Sequence, residues 1–317
     1  VPLSRWSAEP GVVALGGGHG LAASLAALRQ VTPDVTAVVT VADNGGSSGR
    51  LRDEFGVLPP GDLRMALAAL CGDDRWGSTW ARVLQHRFET SGEMDGHSMG
   101  NLLLVTLWEL LGDHVDGLEW VAGLLGAHGR VLPMALTPLD IVAEVAGLDA
   151  DGGLSVVRGQ VEVATTEGQV VSVRLDPDDA AACPEALQAV REAGWVVLGP
   201  GSWFSSVIPH LLVRELREAL CQTEGRVVVT TNLEPQGDET RGSDLADHLD
   251  LLHRHAPELR VHTVLADRSA VRDEERLRLS AERLGARVDV VDVASSAPGV
   301  HDPAKLAAAY SRLLTRA

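Results

Sequence analysis

Apolar runs and amphipathic segments alternate along this chain, the rhythm of βα units around a largely parallel sheet. Gly11 to Gly16 (GVVALG) reads as a buried first strand. Leu21, Leu25 and Leu28 recur at helical spacing directly after a cluster of glycines, and Val35 to Val41 (VTAVVTV) is a β-branched second strand. The chain therefore opens as strand, glycine turn, helix, strand. A helix-rich stretch follows from Asp62 to about His128, with Trp76, Trp80, Trp108 and Trp120 expected as core or interface anchors.

Between Asp140 and Leu175 the rhythm changes. Short alternating runs, Val156 to Val163 and Val170 to Leu175, are separated by Gly152-Gly153 and Glu167-Gly168 and read as hairpin strands. They form either an insertion or an antiparallel extension of the main sheet. The βα rhythm resumes with strands near Trp195–Leu198, Arg226–Thr231, Arg260–Leu265 and Arg287–Val293, and a last helix from about Pro303 to Leu314. No internal repeat or low-complexity linker interrupts the pattern. The expected fold is α/β, a mostly parallel sheet flanked by helices, in one domain over residues 1–317. Residues 62–128 are its helix-rich segment and residues 139–176 its β-hairpin elaboration.

Composition narrows the partners. The net charge of -17 over 317 residues argues against a sequence-independent nucleic-acid binder and against docking on an anionic membrane. No apolar run reaches the roughly 18 residues that span a bilayer. Val1 to Pro10 lacks a basic-then-apolar leader pattern. Cys71, Cys183 and Cys221 show no CxxC spacing and read as reduced thiols. These features suit a cytoplasmic protein with a small-molecule or protein partner.

Candidate chemistry gathers in the glycine loops. Gly16-Gly17-Gly18-His19-Gly20 joins a strand to a helix, where backbone N–H groups and the helix dipole favour an anion. The dinucleotide spacing GxGxxG fails, because Leu21 stands where its third glycine would fall, and no Lys-Ser/Thr pair of a P-loop follows. At the end of the second strand, Asp43-Asn44-Gly45-Gly46-Ser47-Ser48-Gly49-Arg50 offers an acid for a ribose hydroxyl, N–H and hydroxyl donors for phosphate, and a cation. Pro60-Gly61-Asp62-Leu63-Arg64 leads into a helix, with Asp62 a cap or a ligand-facing carboxylate and Arg64 on the first turn. Gly199-Pro200-Gly201-Ser202 is a second strand-to-helix glycine turn, ahead of a helix near Val207. Two such turns after parallel strands are expected to face one crevice.

Taken together, ALGGGHGL (14–21), TVADNGGSSGRLR (40–52), LPPGDLRMAL (58–67), GHSMGNLLL (96–104), GRVLPMAL (129–136) and GPGSWFSSVIPHLL (199–212) resemble the gluconeogenesis factor (YvcK) family, which shares a superfamily with the 2-phospho-lactate transferases (CofD). Looser matches lie at residues 231–249 and 301–307. The resemblance implies a Rossmann-like core that binds a nucleotide sugar, UDP-N-acetylglucosamine in particular, in a regulator of carbon metabolism, cell-wall synthesis and cell shape. The transferase relatives instead imply metal-dependent transfer of a phospholactyl-type group from a guanosine diphosphate carrier to a deazaflavin alcohol. Mg2+ belongs to that alternative, with Asp43, Asp62 and Glu239 as its carboxylates. Two departures stand out: Asn44 replaces an acid common in the family (ADDGGSSG), and His19 replaces a frequent Thr.

The remaining candidates are weaker. Asn101, on an apolar helix expected to be capped by Ser98, and Asn232, just past a strand, are placed to reach a ligand, as to a lesser degree is His97. Gln236, Glu239 and Thr240 are expected on a loop that closes over it. His248, His253, His255 and His262 lack metal-ligand spacing and read as a solvated face, and His301-Asp302 as a cap of the last helix. Ser47, Ser48 and Ser202 have no identifiable base, so no catalytic residue and no metal site is assigned. A nicotinamide dehydrogenase and a pure protein-interaction module are the more distant alternatives.

Overall fold

The computed structural model describes residues 11–149, 153–234 and 244–315. The strands are β1 (Val12–Gly16), β2 (Val35–Val39), β3 (Arg130–Pro133), β4 (Asp140–Ala146), β5 (Leu154–Arg158), β6 (Gln169–Asp176), β7 (Trp195–Leu198), β8 (Arg226–Thr230), β9 (Thr263–Asp267) and β10 (Arg287–Val291). The first helices are α1 (Gly18–Leu28), α2 (Gly46–Phe55), α3 (Pro60–Ala69), α4 (Arg75–Gln85), α5 (Met99–Leu111) and α6 (His114–Leu125). After them come α7 (Gln160–Ala164) and α8 (Pro184–Glu192). A π-helical turn, Trp203–Val207, then leads into α9 (Ile208–Leu212) and α10 (Arg214–Gln222). The last three are α11 (Leu245–His255), α12 (Glu274–Arg283) and α13 (Pro303–Leu314).

Seven parallel strands form the main sheet in the order β10-β9-β8-β7-β1-β2-β3. Central strands covered by helices on both faces have no polar side to show. This is why β1, β2 and β7 read as unbroken apolar runs and every residue in them is buried. β10 lies at the edge, where Arg287 is exposed and the rest of the strand is half-buried. The buried Tyr310 hydroxyl of α13 bonds both Ser24 of α1 (2.8 Å) and Thr230 of β8 (2.9 Å), locking the last helix across the sheet. Asp302 caps α13, accepting from the N–H groups of Ala304 and Lys305 (2.9 and 3.0 Å). Among the described residues no helix is long and apolar enough to cross a membrane.

The middle segment departs from the expectation in detail. It forms a separate three-stranded antiparallel sheet, β5-β4-β6, not an extension of the main one. Its central strand, β4, is the run that a reading in hairpins passes over. Val156 to Val163 is not one strand: Gly159, at φ +110°, turns the chain, and residues 160–164 coil into α7 with Val163 buried. Valines recur there at both strand and helix spacing, and only the glycine decides between them. Trp108 is a core residue, whereas Trp76 and Trp120 are 55% and 66% exposed and do not anchor the interior.

Candidate functional site

Neighbouring strands β1 and β7 diverge in their connections: β2 and β3 continue the sheet on one side, and β8 to β10 on the other. Such a switch point leaves a crevice at the carboxyl ends of the strands. The turns Gly16–Gly20 and Gly199–Ser202 meet there. A Cβ on Gly20 would overlap the Pro200 carbonyl, so only glycine lets the two turns touch. Gly17 is the cap of α1 and packs as closely on Thr40 and Asp62. The first-turn N–H groups of α1 lack partners within the helix and carry its positive dipole end.

The second turn is held from both sides. Ser24 donates to the Gly199 carbonyl (3.0 Å). Asn232 accepts from the Gly201 N–H (2.8 Å) and donates to the Gly201 carbonyl (2.9 Å), so its side chain shapes the turn. Ser202 caps the π-helical turn, its Oγ accepting from the Ser205 N–H (3.2 Å) and hydroxyl (2.5 Å).

The Asp43–Arg50 segment is mostly helix, since α2 starts at Gly46. Asp43 accepts from the Gly45 N–H (2.9 Å) and stays half-buried at the crevice. Ser48 accepts from the Gly61 N–H (3.0 Å), tying α2 to the start of α3 beside Pro60. Ser47 Oγ takes bonds from the Ser98 N–H (3.2 Å) and Asn101 Nδ2 (3.1 Å) and pairs with His97 Nδ1 (3.2 Å). Ser98 sits at the cap position of α5 but donates to the Leu84 carbonyl (2.8 Å), so it does not cap the helix as expected. Asn44 is engaged by the small sheet's helix: its Nδ2 donates to Glu162 (2.7 Å) and its Oδ1 accepts from the Val161 N–H (3.0 Å).

The charged candidates are placed differently from each other. Arg50 bonds the Glu93 and Asp95 carbonyls (3.2 and 2.7 Å) and closes the loop before α5. Arg64 is 3% exposed and bonds Gln85, and burial together with Arg87 pulls its guanidinium down to about 10, still charged at neutral pH. His19 is exposed on the first turn of α1, beside Gly18. Asp62, in the first turn of α3, accepts from Thr40 Oγ1 (3.1 Å) and the Gly18 N–H. Burial first, and the Asp43 charge second, push its carboxyl up to about 7. Two acids thus share the crevice with the N-terminus of α1.

Sequence reasoning passed over Thr40, Ser206, Trp203 and His210. Thr40 and Ser206 face Gly17, and a polar residue ending an apolar strand was the available signal for Thr40. His210 is a core residue bonded to the Val38 carbonyl (3.1 Å), and burial lowers it to about 4. His248 is buried too, not on a solvated face. No group of three or more metal-binding side chains occurs among the described residues. Gln236, Glu239 and Thr240 lie outside the described residues.

The model of the 2-phospho-L-lactate transferase CofD family matches residues 12–301. A Mycobacterium tuberculosis protein with a gluconeogenesis factor name is 51% identical over 96% of this chain and 91% of its own length. The gluconeogenesis factor of Listeria innocua is 36% identical over 84% of this chain and 80% of its own. A solved Bacillus halodurans structure, described as a member of the UPF0052 family, superposes with a TM-score of 0.85 at 32% identity, covering 96% of this chain and 99% of that one. The chain belongs to the CofD family and, within it, groups with proteins named gluconeogenesis factors.

Proposed function

We propose that this protein is a non-catalytic regulator that binds a nucleotide sugar of the UDP-N-acetylglucosamine kind in the crevice between the two glycine turns. The observation that carries the reading is the contact of the Gly16–Gly20 turn with Gly199–Ser202 at the switch point, beside the N-terminus of α1. Backbone N–H groups there suit a diphosphate, which needs no large excess of Lys and Arg. Asp43 is the group for a ribose or sugar hydroxyl. Asn232, Ser47, Ser48, Asn101 and Arg50 hold the walls. The relatives' gluconeogenesis factor names support a role in carbon metabolism, and a cytoplasmic location suits the free thiols of Cys71, Cys183 and Cys221. A link to cell-wall synthesis and cell shape follows from the same proposal.

The test is calorimetric titration with UDP-N-acetylglucosamine, alongside guanosine diphosphate with Mg2+. Binding of the UDP-sugar, weakened tenfold or more in Gly20→Ala, is the expected result. No binding to the wild-type chain refutes it.

A second reading, a phospholactyl-type transferase, is favoured by the family match and by the Asp43–Asp62 pair. Two carboxylates in one crevice fit Mg2+, which is commonly held by one or two acids plus substrate phosphates. When bound, the ion would neutralise phosphate charge, with Asp43 and Asp62 as its protein ligands. Product formation from a guanosine diphosphate donor and a deazaflavin alcohol would establish this reading instead.

A further inference from the structure

The exposed tryptophans of the helix-rich segment form one continuous face. Asp116, Trp120 and Leu124 recur at i, i+4 and i+8 on α6, so they share an outward stripe. Trp76 of α4 joins that stripe: its indole N–H donates to the Leu124 carbonyl (3.1 Å), and its ring meets the half-buried Trp80 at 5.8 Å. The bond ties down the polar edge of Trp76 and leaves its apolar face in water, already held in place. A Cβ at Gly123, between Trp120 and Leu124, would meet nothing, so the stripe also carries an open notch. At up to about 250 Å² per tryptophan, Trp76 and Trp120 together expose on the order of 300 Å². Single exposed apolar residues are ordinary, whereas a contiguous patch of this kind marks a surface that another surface covers.

We propose that this face is a two-fold interface between two copies of the chain, with Trp76 and Trp120 at its centre and Arg82 of each copy paired with Asp116 of the other. The face carries both signs of charge. Arg82 on α4 and Asp116 on α6 are exposed, and neither side chain has an ion-pair partner among the described residues. Arg82 lies about 9 Å along α4 from Trp76, and Asp116 about 12 Å along α6 from Leu124. Both spans start at the same point, the Trp76–Leu124 contact. A two-fold axis through that contact, bisecting the two helices, lays α4 of one copy along α6 of the other. Each Arg82 then stands roughly 3 Å along the helix from the partner's Asp116, within reach of an arginine side chain. Two-fold symmetry makes every such pairing occur twice.

Size and charge both favour a second copy. The exposed tryptophan area is more than a third of the roughly 800 Å² that each partner buries in a standard interface, and tryptophan and arginine are the residues that dominate binding energy there. An acidic partner would set like charge against Asp116, and a basic one against Arg82. A surface with both signs in this order satisfies both, and the chain itself supplies one. The net charge of -17 on each copy opposes association at long range, but physiological salt screens it beyond about 8 Å, while the patch acts at contact.

The experiment is sedimentation equilibrium of the full chain over a range of concentrations, without nucleotide. The wild-type chain is expected at twice its monomer mass. Trp120→Glu should raise the dimer dissociation constant about tenfold or more, as should Arg82→Glu and Asp116→Arg singly. The double variant carrying both charge swaps should return toward wild type, because each pair re-forms with its signs reversed. All three residues are exposed, so thermal melting should show the variants folded; if Trp120→Glu does not fold, the charge swaps alone carry the comparison. A wild-type chain that stays monomeric, whatever else it binds, overturns the interface. So does a dimer indifferent to a folded Trp120→Glu, or a double swap that fails to recover.

Discussion

Replacing Ser47 by alanine removes one hydroxyl that three groups share. Ser98 N–H and Asn101 Nδ2 donate to it, and His97 Nδ1 pairs with it. All four residues are buried. Alanine leaves two donors with no acceptor, and Asn101 already carries an Oδ1 with no partner among the described residues. At about 1–3 kcal/mol per orphaned buried group, the loss is roughly 2–5 kcal/mol after some relaxation. A chain of this size unfolds with an entropy of about 0.65 kcal/mol/K, from about 2.1 cal/mol/K per residue. The melting temperature should therefore fall by roughly 3–8 °C. Differential scanning calorimetry on the unliganded protein reads this directly, and titration of the folded variant reads ligand affinity. A serine that donated to phosphate would give the reverse: an unchanged melting temperature and weakened binding. That reverse pattern would refute the hub reasoning.

Other perturbations have signs of their own. Asp62 keeps its proton to about 7 when folded, against an ordinary 3.8, so stability is lost as pH rises from about 4 to 7. Asp62→Asn in metal-free buffer should raise the melting temperature at pH 8 and by clearly less at pH 5; equal shifts at both would contradict this. His210 and His248, both lowered to about 4, contribute stability above their ordinary 6.5 that is lost as pH falls toward 4. These three groups together contribute a loss of about 1 kcal/mol per unit between pH 6 and 4.5, which adds to a falling urea midpoint. Asn44→Asp sets a carboxylate against Glu162 and removes the donor, at a cost of about 1 kcal/mol at neutral pH. Faster hydrogen exchange across residues 159–164 would show it, and unchanged exchange would count against that docking. Gly20→Ala forces the two glycine turns apart, costing roughly 1–3 kcal/mol together with ligand affinity.

Sequence alone determined the parts of this protein set by local chemistry. β1, β2 and β7 are apolar because both their faces are covered, and that pattern shows without any partner strand. The glycine clusters after β1 and β7 are legible because few other residues make such turns, and Asp302 ahead of Pro303 announces its helix. The tertiary structure decided which groups remain for a ligand. Ser47, Asn101, Arg50 and Asn232 look alike in sequence as donors near glycines. Contacts 31 to 54 residues away along the chain commit each of them to the scaffold. Asn44 is bound by a helix 117 residues downstream, which no local spacing encodes. The same holds for His248: its place on α11 follows helical period, but its burial and its stack on Trp203 exist only once β7, β8 and β9 lie side by side. Periodicity records which face of an element is buried. What that face touches depends on strand order, and strand order is settled by packing between segments far apart in the chain.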